Sequence, residues 1–154
     1  MARACRGKIG DVTAYSSTPL AKKLGIRPNA PVVALGAPPH FPDLLAPLPE
    51  GVRIAKRPGP FDVALLFVTR AAGLEDGLAR LTPHLERGGR LWVCWPKKSS
   101  GVRTDCRFEV VQGAGLAIGL VDTKVCAIDE TWSGLCLMRR RESPEARAGR
   151  EDRL

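Results

Sequence analysis

The chain has 154 residues, 44% of them hydrophobic, which is enough apolar material for one domain with a substantial core. Its formal net charge of +8 permits anionic partners, but only 5% of the residues are aromatic, and no dense basic run is interleaved with aromatic side chains. A specialised nucleic-acid module is therefore not favoured.

The two ends of the chain predict segments outside the domain. Residues 1–12 are charged and contain glycine, which predicts a flexible arm rather than a signal peptide or a membrane helix. Residues 141–154 have few apolar side chains and predict a disordered tail. The five cysteines are odd in number and irregularly spaced, so they do not indicate a disulfide framework. We predict a cytoplasmic protein with no membrane association.

The first third of the chain alternates short apolar runs with helix punctuation. Thr18 is suited to cap a helix, Pro19 to occupy its first position and Gly25 to end it. Two later apolar runs predict strands, separated by a stiff proline-rich loop and a brief helix. The predicted elements are a helix over 15–25, a strand over 31–36, the loop 37–42, a helix over 43–47 and a strand over 51–55.

The centre of the chain predicts a β-α-β unit over 60–96. Phe61–Val68 and Arg90–Trp95 are apolar runs typical of parallel strands buried on both faces. Between them four leucines recur at helical spacing and form one apolar stripe. These are Leu74, Leu78, Leu81 and Leu85.

The last third predicts a helix and a closing pair of strands. Thr104 or Asp105 could cap the helix, which carries Phe108, Val110 and Val111 and is expected to stop at Gly113 or Gly115. The strands 120–128 and 135–138 read as an antiparallel pair, connected by 129–134. The whole order predicts an α/β fold with a doubly wound, mostly parallel sheet, a C-terminal antiparallel strand pair, and ligands beyond the carboxyl ends of the strands.

The central unit resembles a known class of enzymes. The segment 61–66, the leucine helix and Arg87–Val93 resemble the region of the fourth and fifth strands of class I methyltransferases, and the closing pair is similar to the hairpin that ends those domains. Three further blocks, 15–25, 95–101 and 121–134, resemble a family of small bacterial proteins of unknown function. These resemblances imply one methyltransferase-like domain over 13–140.

The methyl donor is not expected to bind in the ordinary way. The resemblance implies a glycine-rich turn after the first strand and an acid at the end of the second, which would hold S-adenosylmethionine. The first turn instead reads Gly36-Ala-Pro-Pro, in which the prolines have no N–H, and the second strand is followed by Lys56 and Arg57. We therefore assign no cofactor and do not predict an active methyltransferase.

The loop after the strand 90–95 is a candidate anion site. Lys97, Lys98, Ser99, Ser100 and Gly101 offer two cations, two hydroxyls and a flexible backbone at the expected ligand edge, as in phosphate or carboxylate cradles. The spacing is not that of a Walker loop. A polar loop that simply leaves a buried strand is the structural alternative.

The connection 129–134 is the second candidate. Asp129 and Glu130 could serve as a general base or metal ligands, and Trp132 could stack on a ring. Alternatively Asp129 caps backbone amides and Trp132 covers the end of the sheet. His40 and His84 lack Cys or carboxylate partners at metal-ligand spacing, so no metal site is assigned.

Three functions follow from these patterns. The first is a methyltransferase-like domain that binds a small anionic ligand through Lys97–Gly101, Asp129, Glu130 and Trp132. The second is an S-adenosylmethionine-dependent methyltransferase with an atypical cofactor loop around Gly36. The third is a nucleic-acid or protein interaction module that uses the basic surface and the Arg-rich tail.

Overall fold

A computed structural model describes residues 19–140, and the predicted arm at 1–12, the Thr18 cap and the tail at 141–154 lie outside the described residues. Within this range, helices and strands alternate before a final strand pair. In chain order they are α1 (Leu20–Leu24), β1 (Pro31–Leu35), α2 (Phe41–Leu45), β2 (Arg53–Ala55), β3 (Val63–Phe67), α3 (Ala71–Leu81), β4 (Arg90–Pro96), α4 (Phe108–Ala117), β5 (Leu120–Ala127) and β6 (Trp132–Arg139).

The strands form one mixed sheet in the order β2-β1-β3-β4-β6-β5. The first four are parallel to one another, and β6 is antiparallel to both β4 and β5. This confirms the predicted fold class. The chain moves outward from β1 to β2 on one side and from β3 to β4 on the other, so the strand order reverses between β1 and β3. The carboxyl ends at such a reversal form the crevice in which ligands of open α/β sheets bind.

Both faces of the sheet are covered, which explains the uninterrupted apolar runs. Successive residues of β3 point to opposite faces: Leu66 packs with α3, and Leu65 packs with α1 and α2. All four leucines of the predicted stripe are buried on the α3 side. On the other side the indole Nε1 of Trp92 donates a hydrogen bond to the carbonyl oxygen of Leu24 at 3.0 Å, which joins α1 to β4.

Helix α4 is longer than the sequence predicts. It passes both expected stops and ends at Ala117, shortly before Gly119, whose φ is +87°. Gly115 is buried, and a side chain there would come within 2.7 Å of Leu137 on β6. The predicted stop at Gly113 or Gly115 is wrong because Gly115 allows close packing of the helix on the sheet, which outweighs the low helix propensity of glycine.

Strand β6 begins at Trp132, before the predicted start at residue 135. Trp132, Ser133 and Gly134 extend the ladder with β4, opposite Pro96, Trp95 and Cys94 respectively. The predicted connection 129–134 is therefore too long, and Trp132 is a strand residue. Within residues 19–140, no helix is long and apolar enough to cross a membrane.

Substitution of Gly77 on α3 tests how closely this helix packs on the sheet, and substitution of Gly113 on α4 is the control. A methyl group on buried Gly77 would overlap the Leu66 side chain, whereas nothing lies within 4 Å of the corresponding position at Gly113 on α4. We expect Gly77→Ala to lower the free energy of unfolding by about 1–3 kcal/mol because of overpacking. Gly113→Ala should raise it by about 0.5–1 kcal/mol because alanine favours helix. Urea unfolding measures both, and stabilisation by both substitutions would contradict the packing described.

Candidate ligand site at the carboxyl edge of the sheet

Besides the connection that follows β2 at the outer edge of the sheet, four connections meet at the carboxyl edge of the parallel strands. They follow β1, β3 and β4, and the fourth joins β5 to β6. The backbone N–H of Lys97 donates to the carbonyl oxygen of Thr131 at 2.7 Å. The two predicted clusters, Lys97–Gly101 and Asp129–Trp132, are thus neighbours in space.

The loop Lys97–Gly101 is organised largely by its own hydrogen bonds. Lys98–Ser100 form one 3₁₀ turn, and Gly101 ends it at φ +78°. The Ser100 hydroxyl donates to the carbonyl oxygen of Lys97 at 2.6 Å and accepts from the N–H of Val102 at 3.2 Å. The side chains of Lys98 and Ser99 are exposed. Ser100 therefore shapes the loop, while Lys98 and Ser99 face solvent.

Asp129 caps the turn that enters β6, as the second interpretation of this connection predicts. Its Oδ1 accepts hydrogen bonds from the backbone N–H groups of Thr131 at 2.8 Å and Trp132 at 2.7 Å. Its Oδ2 lies 3.0 Å from Nε2 of His40, in the loop after β1. Burial acts to raise the pKa of the Asp129 carboxyl, but the hydrogen bonds from His40, Trp132 and Thr131 outweigh it and hold the pKa below its ordinary value. Glu130 is exposed beside it.

Trp132 packs into an aromatic row on the α2 side of the sheet. Its ring meets Phe67 edge to face at a centroid distance of 5.1 Å, and Phe67 meets Phe41 in the same way at 5.0 Å. Such contacts stabilise an aromatic cluster beyond the burial of its surface. The indole therefore covers the end of β3 and β4.

A cavity of about 790 Å³ opens on the α3 and α4 side of the same edge. The end of β4, the loop that follows it and the start of α4 surround most of it, and the residues after β3 complete the wall. It is lined by Thr69, Arg70, Trp95, Pro96, Lys98, Val102, Arg103, Thr104, Asp105, Cys106, Arg107 and Glu109. Of the predicted ligand residues, only Lys98 belongs to this lining.

Two side chains of the loop 102–107 form hydrogen bonds with the backbone of the segment that follows β3 and begins α3. The Asp105 Oδ1 accepts from the backbone N–H of Ala71 at 2.7 Å, and the Thr104 hydroxyl donates to the carbonyl oxygen of Thr69 at 2.6 Å. The prediction that Thr104 or Asp105 caps the following helix is wrong, because α4 begins after Arg107 without a side-chain cap. Asp105 instead caps α3, which precedes it in the chain. This tie, named here the loop–α3 tie, forms one wall of the cavity.

The cavity is positively charged. Arg70, Lys98, Arg103 and Arg107 are all exposed, and none forms an ion pair with an acid in the part of the chain that the structure describes. The lining also holds two acids, Asp105, which accepts a hydrogen bond from the α3 amide, and Glu109 on the first turn of α4, so its four cations exceed its acids by two. The three arginines were not assigned from the sequence, where they are indistinguishable from an arginine-rich solvated surface.

Cys106 lies on the floor of the cavity but is not an activated nucleophile. Burial raises the pKa of its thiol, and the nearby charge of Asp105 raises it further, against a hydrogen bond with Thr104 that lowers it. A thiol with a raised pKa stays protonated at neutral pH. Among the described residues, no group of three or more His, Cys, Asp or Glu side chains gathers where it could hold a metal ion.

A second cavity of about 390 Å³ lies beside Gly36, where the strand order reverses. Gly36 has a φ of +70°, and a side chain there would approach the carbonyl oxygen of Phe67 to 2.8 Å. The acid in its lining, Asp76, lies 3.8 Å from Arg80 on the same helix. Lys56 and Arg57, which follow β2, are exposed.

Comparison with known proteins supports the fold. The sequence matches no protein-family model, and no curated protein is similar to it. It is structurally similar to an S-adenosylmethionine-dependent methyltransferase from Aquifex aeolicus, with a TM-score of 0.55 at 12% identity over 79% of this chain and 88% of that one. The ribosomal protein L11 methylase of Lactobacillus delbrueckii subsp. bulgaricus gives 0.53 at 13% identity, over 79% and 76% of the two chains.

A third solved structure agrees with these two. The protein-(glutamine-N5) methyltransferase of Alicyclobacillus acidocaldarius has a TM-score of 0.50 at 11% identity, over 79% of this chain and 91% of that one. At such identities the likeness shows the fold alone. The chain therefore has a methyltransferase-like α/β fold, as the resemblance of its central unit predicts, while its membership of a small bacterial family stays a prediction.

The Asp129 cap gives a pH-dependent test. The folded pKa of Asp129 is lower than its unfolded value, so its stabilising effect is present above the unfolded pKa and is lost as the pH falls through the folded pKa. We expect Asp129→Ala to lower the free energy of unfolding at pH 7 by about 1–3 kcal/mol. The difference from the wild type should shrink as the pH falls below about 4.

Urea unfolding at a series of pH values measures this difference. The adjacent exposed residue provides the matched control, since Glu130→Ala should change the free energy of unfolding by less than about 0.5 kcal/mol. An effect of Asp129→Ala that stays constant from neutral to strongly acidic pH would contradict the assigned role of the carboxylate.

Proposed function

We propose that this methyltransferase-like domain binds a small anionic molecule in the cavity between β4, the loop–α3 tie and α4, and that it does not bind S-adenosylmethionine in the ordinary way. The observation that carries the proposal is the set of four cations, Arg70, Lys98, Arg103 and Arg107, around a cavity of about 790 Å³ at the carboxyl edge of the sheet. The sequence predicts an anion site at this edge; Lys98 is its one residue in the lining of this cavity, and the arginines are added to it in this proposal.

The arrangement suits anions for physical reasons. Cations at the mouth of a cleft with low-dielectric walls focus the electric field and raise the local concentration of anions. Arginine also binds phosphate or carboxylate through two parallel N–H groups, and these charge-assisted hydrogen bonds are roughly twice as strong as neutral ones. Asp105 and Glu109 oppose two of the four cations, so the lining keeps a net positive charge.

Several features argue against ordinary binding of the methyl donor. Pro38 and Pro39, after β1, provide no N–H groups for a ligand. Two exposed cations, Lys56 and Arg57, follow β2, where an acid would be needed for the ribose hydroxyls.

A second candidate function is a methyltransferase with an atypical cofactor loop. The cavity of about 390 Å³ beside Gly36 favours it, because it lies at the reversal of strand order and includes Asp76 in its lining. Calorimetry with S-adenosylmethionine separates the two candidates. We expect no binding, whereas micromolar affinity would overturn the preferred function.

Charge reversal at the cavity tests the anion site directly. We expect the double substitution Arg103→Glu, Arg107→Glu to weaken binding of inorganic phosphate by at least about tenfold, since each lost charge-assisted bond is worth about 1.5–3 kcal/mol. Phosphate binding is measured by the amide chemical shifts of residues around the cavity.

The matched control reverses two exposed cations beside the β2 edge. Arg53→Glu, Lys56→Glu changes the net charge of the protein equally, so it should leave phosphate affinity within about twofold of the wild type at physiological ionic strength, where distant charges are screened. Equal weakening by both double variants would show diffuse attraction to a basic protein rather than a site.

A further inference from the structure

We infer that the ligand of this cavity is a phosphate monoester that also carries a flat aromatic ring, a class that includes nucleoside monophosphates. The inference rests on the proposed function and deepens it by naming the ligand class. It follows from the separation of the lining into an apolar floor and a cationic rim.

The floor of the cavity is apolar and firmly packed. Trp95, Pro96 and Cys106 line it and are buried in the fold. Trp95 is held by an edge-to-face contact with Phe108 at a centroid distance of 6.4 Å. A rigid apolar wall of this kind favours a ligand with a flat ring over a ligand with a flexible polar chain. The ring loses little conformational freedom when it binds, and its face is apolar.

Val102 adds an apolar contact at the mouth. It is 45% exposed, although it lies in a loop whose neighbours are polar or charged. A ring seated between Val102 and the floor would remove this apolar surface from water, at about 25 cal/mol per Å². Inorganic phosphate would leave it exposed, so phosphate alone does not account for the lining.

The rim favours a phosphate over a carboxylate. Four cations line the cavity against two acids, Asp105 and Glu109, so its cations exceed its acids by two. A phosphate monoester carries about −1.5 to −2 charges and three acceptor oxygens, whereas a carboxylate carries one charge.

The size of the cavity agrees with this class. Its volume of about 790 Å³ falls within the range of about 300–1,000 Å³ typical of sites for small organic ligands. An isolated phosphate would occupy only a small part of that space. A ring, a sugar or short spacer, and a phosphate together match the combination of floor, mouth and rim.

Calorimetry with four probes tests the inference on the full chain: adenosine monophosphate, adenosine, inorganic phosphate and benzoate. We expect adenosine monophosphate to bind at least ten times more tightly than each of the other three. Its binding should be lost in the variant Arg103→Glu, Arg107→Glu and weakened at least fivefold by Val102→Asp, which places a negative charge at the mouth. Val125→Asp is the matched control, because Val125 is 60% exposed on β5 and lies outside the cavity lining, so affinity should stay unchanged.

The outcomes distinguish this inference from the proposed function. If phosphate binds through Arg103 and Arg107 but adenosine monophosphate binds no more tightly, the aromatic ligand class is overturned and the anion site stands. Tighter binding of benzoate than of adenosine monophosphate would likewise overturn the phosphate while leaving the anion site. If none of the anions binds, both proposals fail. Circular dichroism confirms that each variant is folded before its affinity is compared.

Discussion

The structure depends on burying both faces of β3 and β4. Neither strand can satisfy its apolar side chains with one helical layer, so α1 and α2 must cover one face while α3 and α4 cover the other. Because helices cover both faces, each connection must run past the ends of the strands. The polar side chains of the connections after β1, β3 and β4 and between β5 and β6 therefore lie together at the carboxyl edge of the sheet. The ligand edge is thus a consequence of how the core is buried.

The two faces divide that edge into regions of different character. On the α2 side, the row from Phe41 to Trp132 is filled, and Asp129 is satisfied by two backbone amides and His40. On the α3 and α4 side, the loop after β4 bends outward to reach Ala71 and leaves a hollow beneath it. Four cations line this hollow against two acids, Asp105 and Glu109, and none of the four forms an ion pair within residues 19–140. Asp129 thus has hydrogen-bonding partners within the fold on the first side, whereas the four cations on the second side have no acid partner in the described chain.

The sequence predicts the fold well because the deciding signals are local. Apolar runs, a leucine stripe at helical spacing and glycine turns each act over a few residues, and together they determine the order of elements. The end of α4 was mispredicted because Gly115 responds to Leu137, a residue far along the chain. Local patterning cannot distinguish a glycine that ends a helix from one that lets it approach a sheet.

The site is less predictable because long-range contacts build it. Asp105 and Ala71 are 34 residues apart, and His40 and Asp129 are 89 apart. Of the ligand residues that the sequence predicts, only Lys98 lines the cavity, and the three arginines beside it could not be assigned from local patterns. Their chemistry becomes apparent only when the loop–α3 tie brings 103–107 beside the end of β3.

The loop–α3 tie would also couple the proposed binding of an anion in the hollow to the integrity of α3. Asp105 lies between Arg103 and Arg107, and its carboxylate holds the opening amide of α3. A molecule that immobilises the two arginines would also immobilise that carboxylate, and fraying of the first turn of α3 would become rarer. The dynamics of the layer over the central strands would then depend on the supply of a metabolite.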